Sequence, residues 1–202
     1  MLWLRIKRKI RMFANIIMNP VNKFCLSING VQFESDVNVI GKIWIYNEGT
    51  IKLGHNVKIR SAEWSNPIGG GGTKTQFQVM RSGYLEIGDY TGLSNVAITC
   101  VESIMIGSNV LIGAGSKIYD TDFHPLNPTF RYGEASDIEQ TKHKAIVVED
   151  GVFIGANVTI LKGTYIGKNS IIGAGSVVTG KIPANEIWGG NPAKYIKQVP
   201  KV

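Results

Sequence analysis

The sequence predicts an all-β fold, a three-sided parallel coil built from six-residue repeats. In the C-terminal half, aliphatic residues stand at Val148, Ile154, Ile160, Ile166, Ile172 and Val178, six apart without a miss. Small or β-branched residues follow four positions later at Val158, Thr164, Ser170 and Ser176. The same step links Ile106, Ile112 and Ile118. A period of six fits neither an amphipathic helix nor one alternating strand. It fits a short strand plus a tight turn, three of which close a coil of about eighteen residues that stacks on the next. The 24 Gly carry no collagen-like period and sit mostly beside the repeat, where turns at fixed intervals need them.

At 202 residues and 44% hydrophobic composition, the chain suits one soluble globular domain with a substantial core. The net charge of +7 is localised: Arg5, Lys7, Arg8, Lys9, Arg11 and Lys23 precede the first acid, Glu34. The remainder holds 16 basic against 15 acidic residues. No basic stripe is left to track phosphates along the body, which argues against nucleic acid as a partner. Cys25 and Cys100 form no C-x-x-C pair and no framework, so neither a disulfide scaffold nor structural zinc is indicated. The apolar runs are short of a membrane span, and the N-terminus lacks a continuous apolar segment before a small-residue cleavage site. A cytoplasmic location is the expectation.

The opening segment, residues 1–20, places Trp3, Ile6, Ile10, Phe13 and Ile17 at helical spacing among Arg and Lys. It reads as a basic amphipathic helix ending near Pro20, packed on the end of the domain or lying on an anionic membrane through residues 1–19. The expected division is 1–33 for this helix and its lead-in, 34–182 for the coil, and 183–202 for a capping tail. The repeat begins loosely after Val37, and Leu53–Val57 is its first clear unit, with His55 exposed in the turn. Asn66–Thr75, NPIGGGGTKT, reads as an extruded loop; Thr73 before Lys74 breaks the spacing of a P-loop. The repeat resumes at Leu85 and runs to Ile118, and the next step of six lands on His124. There it stops for a polar, turn-rich loop over 125–144, too long and polar to bury a core. An imidazole where the pattern asks for an aliphatic is the first candidate for chemistry. Pro125 holds it in an extended backbone.

The repeats, YDTDFHPL before a long loop, and IPANEIWGGNPAKYIK after the last repeat together resemble the hexapeptide-repeat acyltransferases. The sugar O-acetyltransferases of galactoside, maltose and nodulation-factor type and the polysaccharide O-acetyltransferases are most similar. The resemblance covers roughly Ile87–Lys197. It implies a left-handed parallel β-helix, a homotrimer with active sites between subunits, acetyl-CoA as donor and no metal. Handedness comes from the resemblance alone, and it departs from the usual right-handed crossover.

The resemblance makes His124 the general base that takes a proton from an acceptor hydroxyl. Asp122, or Asp120, is expected to accept the other ring N–H and fix the tautomer. Asn95, with Ser94 as rival, stands near the family's asparagine beside the reacting centre. On the donor side the resemblance implies Ala156, Ala174 and Thr179 along the pantetheine groove and Phe153 as an aromatic wall. Lys194 and Lys197 are expected at the nucleotide phosphates, where an ammonium charge suffices. Gly180 departs from the lysine of similar chains. Asp120, Arg131, Tyr132 and Trp188 are expected toward the acceptor, although Trp188 also suits a wall of the coenzyme pocket or a cap on the last coil. His143, ending the loop, reads as a surface histidine, with reach toward an acceptor as its alternative.

The function expected is direct acetyl transfer to a sugar or glycan hydroxyl. A non-sugar acceptor, antibiotic or amine, remains open, as does a non-catalytic coil scaffold. A zinc enzyme on the same fold is disfavoured, because His55, His124 and His143 lie at no close spacing.

Overall fold

The structure is a computed structural model that describes residues 18–62, 65 and 74–200. The basic half of the N-terminal segment and most of the Gly run fall outside the described residues.

The chain winds into a left-handed parallel β-helix with three sheets of seven, eight and six strands. The first face stacks Gln32–Phe33, Thr50–Leu53, Tyr84–Ile87, Ser103–Ile106, Ile146–Val148, Tyr165–Ile166 and Lys181–Ile182. The second face runs from Asn38–Ile40 to Glu186–Gly189, and the third from Trp44–Asn47 to Val177–Val178. Among the described strands all pairs between coils are parallel; the antiparallel strand pair joins Glu186–Gly189 to the final strand, Lys194–Gln198, which covers the open edge of the second sheet.

The period of six is the period of the faces. Ile112 pairs with Ile154 and Ile154 with Ile172 in one row; Ile118, Ile160 and Val178 make another. Each of these side chains is at most 3% exposed. The residues four later are buried too, among them Ser116, Thr164, Ser170 and Ser176. A hydroxyl is tolerated there because the corner supplies partners. Ser116 donates to Gly155 O (3.1 Å) and accepts from Val158 N (3.3 Å), and Ser170 donates to Pro183 O (2.7 Å). Corners turn through left-handed residues, Asn109, Asn157 and Asn169 alternating with Gly115, Gly151 and Gly175. Asn and Gly carry this conformation with least strain.

The first helix does not end near Pro20: residues 18–28 are all helical. The stop is set by Gly30 at φ +66°, where Gly30 N donates to Ser27 O and Val31 N to Leu26 O. That is a Schellman closure with Leu26 and Val31 buried as its apolar contact. Asn22 donates to Gly41 O at 2.7 Å, which seats the helix on the first coil.

Candidate active site

The coil is interrupted once among the described residues after the third-face strand Lys117–Tyr119, and the inserted loop is pinned at its base. Thr121 and His143 form an antiparallel bridge, Asp122 N donates to Lys142 O (2.9 Å), and Lys144 N donates to Asp120 O (2.8 Å). Within it lie a short 3-10 turn, Pro128–Phe130, and the helix Glu134–Gln140. Neither is apparent from the loop's polar composition.

His124 emerges where that loop leaves the coil. Phe123 before it sits at φ +63°, a region bulky residues avoid at about 1–3 kcal/mol. Two contacts hold it: Phe123 N donates to Thr121 Oγ1 (3.2 Å), and its ring packs on Tyr119 at 5.2 Å. The His124 side chain is 67% exposed, and its Nδ1 lies 2.9 and 3.2 Å from the two carboxylate oxygens of Asp137. A carboxylate only accepts, so Nδ1 carries the proton and Nε2 is left to accept one.

Asp137 therefore occupies the orienting position expected of Asp122 or Asp120. Asp122 instead pairs with Lys162 at 3.2 Å, tying the loop base to the next coil. Asp120 is fully buried, and its carboxylate accepts from the main-chain N–H groups of Val101, Glu102 and Ser103 at 2.8–2.9 Å. Its expected place among the acceptor contacts is corrected: it holds the corner of the coil. Arg131 spends its guanidinium on Pro125 O (2.7 Å) and Leu126 O (2.6 Å), bracing the backbone just after His124. Tyr132 is 93% exposed at the loop surface.

The remaining candidates fall into columns. Asn95, Ala156 and Ala174 occupy equivalent corner positions between the second and third faces, with Ala114 between Asn95 and Ala156. The register of Leu93, Ile112, Ile154 and Ile172 fixes this, as do the bonds Gly115 N to Asn95 O, Asn157 N to Ala114 O and Gly175 N to Ala156 O. Asn95 is buried at φ +48°, whereas Ala174 is exposed. A Cβ on Gly175 beside it would meet nothing within 4 Å, so a thin ligand can approach the main chain here. Phe153 projects from the second face between Leu111 and Ile171, beside a cleft that also carries Lys58, Arg60 and Ser94. Thr179 lies on the other edge of the third face, two coils beyond Tyr119. Lys194 and Lys197 stand exposed on the final strand.

Trp188 follows its capping alternative. It sits in the row of Ile172, packs against the core with Ala193 and edge-on to Tyr195, and donates from Nε1 to Glu186 (2.7 Å). Three coil steps separate that row from the coil that ends at His124, so within one chain the indole lies away from His124. Each of the three histidines turns Nδ1 toward a different carboxylate: His55 to Asp36, His124 to Asp137 and His143 to Glu102.

Comparison with known proteins agrees with the repeat architecture. The family described as bacterial transferase hexapeptide (six repeats) matches residues 145–180. WbbJ of Escherichia coli K12, named for O-acetyl transfer in lipopolysaccharide biosynthesis, is 33% identical over 160 residues, covering 77% of this chain and 75% of that one. A galactoside O-acetyltransferase of Lactococcus lactis is 38% identical over 112 residues, but the chain spans only 51% of its length. The hexapeptide-repeat acetyltransferase VCA0836 of Vibrio cholerae, solved with acetyl coenzyme A, is 31% identical at TM-score 0.57 over 73% of this chain and 70% of that one. With the repeat register and the 33% identity over three quarters of both chains together, the chain belongs to the hexapeptide-repeat acetyltransferases.

Proposed function

We propose that this acetyltransferase moves the acetyl group of acetyl-CoA to a hydroxyl of a sugar or glycan, with His124 as general base. The observation that carries the reading is the His124–Asp137 pair, which leaves Nε2 as the free acceptor nitrogen at the edge of the coil. Nε2 takes the hydroxyl proton as the oxygen attacks the thioester carbonyl. The tetrahedral adduct collapses with cleavage of the C–S bond, and the departing CoA sulfur receives that proton from His124. Direct attack is favoured because the Cys100 thiol is poorly suited to a nucleophile's role: burial, then the Asp120 carboxylate, pushes its pKa up to about 12. The O-acetyl transfer named for WbbJ and for the galactoside enzyme supports a sugar hydroxyl as acceptor.

The candidate residues suggest two half-sites. Asn95, Ala156 and Ala174 mark the edge where the chain enters the third face; His124 and Thr179 mark the edge where it leaves. A four-residue strand, about 13 Å, separates the edges. A second copy, turning its entry edge to the first copy's exit edge, brings the halves together. Three copies arranged around their third faces repeat that contact three times and close. The face suits burial. Lys117 is its one outward charge among the described strand residues, beside Trp44, Tyr46, Ala97, Tyr119 and Val177. The other two faces carry Lys52, Glu86, Lys58 and Arg60.

A homotrimer with shared sites is therefore our reading, and subunit mixing tests it. His124→Ala and Ala174→Trp homotrimers are each expected to be nearly inactive. Unfolding and refolding them as an equal mixture should restore about a quarter of wild-type sites by random assortment. No recovery in mixed trimers, verified by sedimentation, would place the whole site within one subunit.

The helix of residues 18–28 supports peripheral membrane association at the cytoplasmic face. Val21, Phe24 and Ile28 are exposed at helical spacing on it, in continuity with the basic amphipathic sequence that precedes them. No helix among the described residues is long and apolar enough to cross a membrane. Removing residues 1–19 should reduce sedimentation with phosphatidylglycerol-containing liposomes severalfold; unchanged sedimentation would leave packing as the segment's role.

A further inference from the structure

Beneath the inserted loop lies a cavity of about 370 Å³, lined by Phe123, the residue before His124, and by His143. Its floor is the corner between the third and first faces, carrying Glu48, Met80, Arg81 and Val101; its roof is Phe123 and Ile138, the neighbours of His124 and Asp137. The lining is mainly apolar with polar groups around it, and the volume lies in the range of small-molecule sites, about 300–1,000 Å³. Its floor residues belong to the coils N-terminal to His124, whereas the alanine column extends toward the C-terminal coils.

His143 lines this cavity from the far end of the loop. Its main chain bridges to Thr121, and its Nδ1 lies 2.8 Å from Glu102 Oε2. The main-chain N–H of Glu102 is in turn bound by the buried Asp120 carboxylate (2.8 Å). A carboxylate at Nδ1 again leaves Nε2 as the acceptor atom. Arg81 and Glu48 stand on the same wall; Glu48 accepts from the Tyr46 hydroxyl with Oε1 (2.6 Å), which leaves Oε2 to accept from a ligand beside the Arg81 guanidinium.

We propose that this cavity is the acceptor pocket, that it takes a single pyranose ring, and that His143 binds one of the ring's hydroxyls there. The inference rests on the acetyl-transfer reading above and specifies its acceptor side. A pyranose offers apolar C–H patches ringed by directional hydroxyls, which is the complement of this lining. Phe123, fixed by its backbone and by Tyr119, supplies a rigid aromatic wall for the C–H patch. Glu48, Arg81 and His143 supply an acceptor, a donor and an acceptor for the hydroxyls. In this arrangement His143 is a positioning residue: it touches the acceptor away from the reacting oxygen, which belongs to His124.

Saturation-transfer NMR with the methyl glycosides of glucose, galactose and N-acetylglucosamine tests the pocket without knowing the natural acceptor. Wild-type protein is expected to transfer saturation to the ring protons of at least one glycoside. His143→Ala should weaken that binding about tenfold, the usual worth of one directional hydrogen bond. Met80→Trp, which fills the floor, should abolish it. Acetyl-CoA affinity by calorimetry should stay unchanged in both variants, which also reports that they are folded. Transfer to none of the glycosides, or transfer that survives Met80→Trp, overturns the pocket; undiminished binding in His143→Ala overturns the role of that residue. Failure of the wild type to bind acetyl-CoA would instead strike the acetyl-transfer reading, so the two failures are distinguishable.

Discussion

Replacing His124 with Ala is expected to lower kcat by about 10²–10⁴-fold, the range that a positioned general base contributes. The KM for acetyl-CoA should change little, because the ring contributes to the proton transfer and not to holding the donor. Thiol release in the presence of an acceptor measures both. Asp137→Asn leaves the ring in place but offers an amide that no longer requires the proton on Nδ1, so kcat should fall by about tenfold or more. Asp137→Glu should recover part of that loss, since it restores a carboxylate that only accepts. Full activity in His124→Ala, or equal losses in Asp137→Asn and Asp137→Glu, would count against this assignment.

Asp120→Ala is expected to be the most damaging single change to stability, although it removes neither a large side chain nor a contact with substrate. The fully buried Asp120 carboxylate accepts three successive main-chain N–H groups, those of Val101, Glu102 and Ser103, at a corner whose outer side is partly exposed. Alanine would remove all three bonds at once and leave a polar void under the corner. The expected loss is about 3–5 kcal/mol, which lowers Tm by about 10 °C in a chain of this length. Thermal unfolding followed by circular dichroism measures it, and a shift of less than about 2 °C would show the corner to be held by other means.

The stack was legible because its constraint is strictly periodic. A side chain that points inward must be aliphatic or small at every turn, so Ile112, Ile154 and Ile172 announce one row before any coordinates exist. The cap after Pro20 was not legible in the same way: the helix continues past the proline, and its stop depends on Gly30 reaching a left-handed conformation. His124 could be found as a breach of the period. Asp137 could not, because nothing in a polar loop distinguishes the carboxylate that folds back onto the ring from its neighbours. Asp120 misled for a related reason. In sequence it is one of two acids near a catalytic candidate, and only the path of the main chain over 101–103 turns it inward. The cavity beside His143 draws its walls from four successive coils and from both ends of the loop, so no local stretch of residues carries its signature.

The stacked rows also act as a ruler. Adjacent strands lie about 4.8 Å apart, so the three coil steps from Asn95 to Ala174 measure about 14 Å along the axis, graduated by corner residues that repeat almost unchanged. Inserting or removing one complete coil between the loop and the tail would move Lys194 and Lys197 by a single graduation relative to His124. Every aliphatic row would stay in register, and each corner would find an equivalent neighbour. The reach of this scaffold can therefore change in whole graduations, while the loop that shapes the acceptor side changes independently of it.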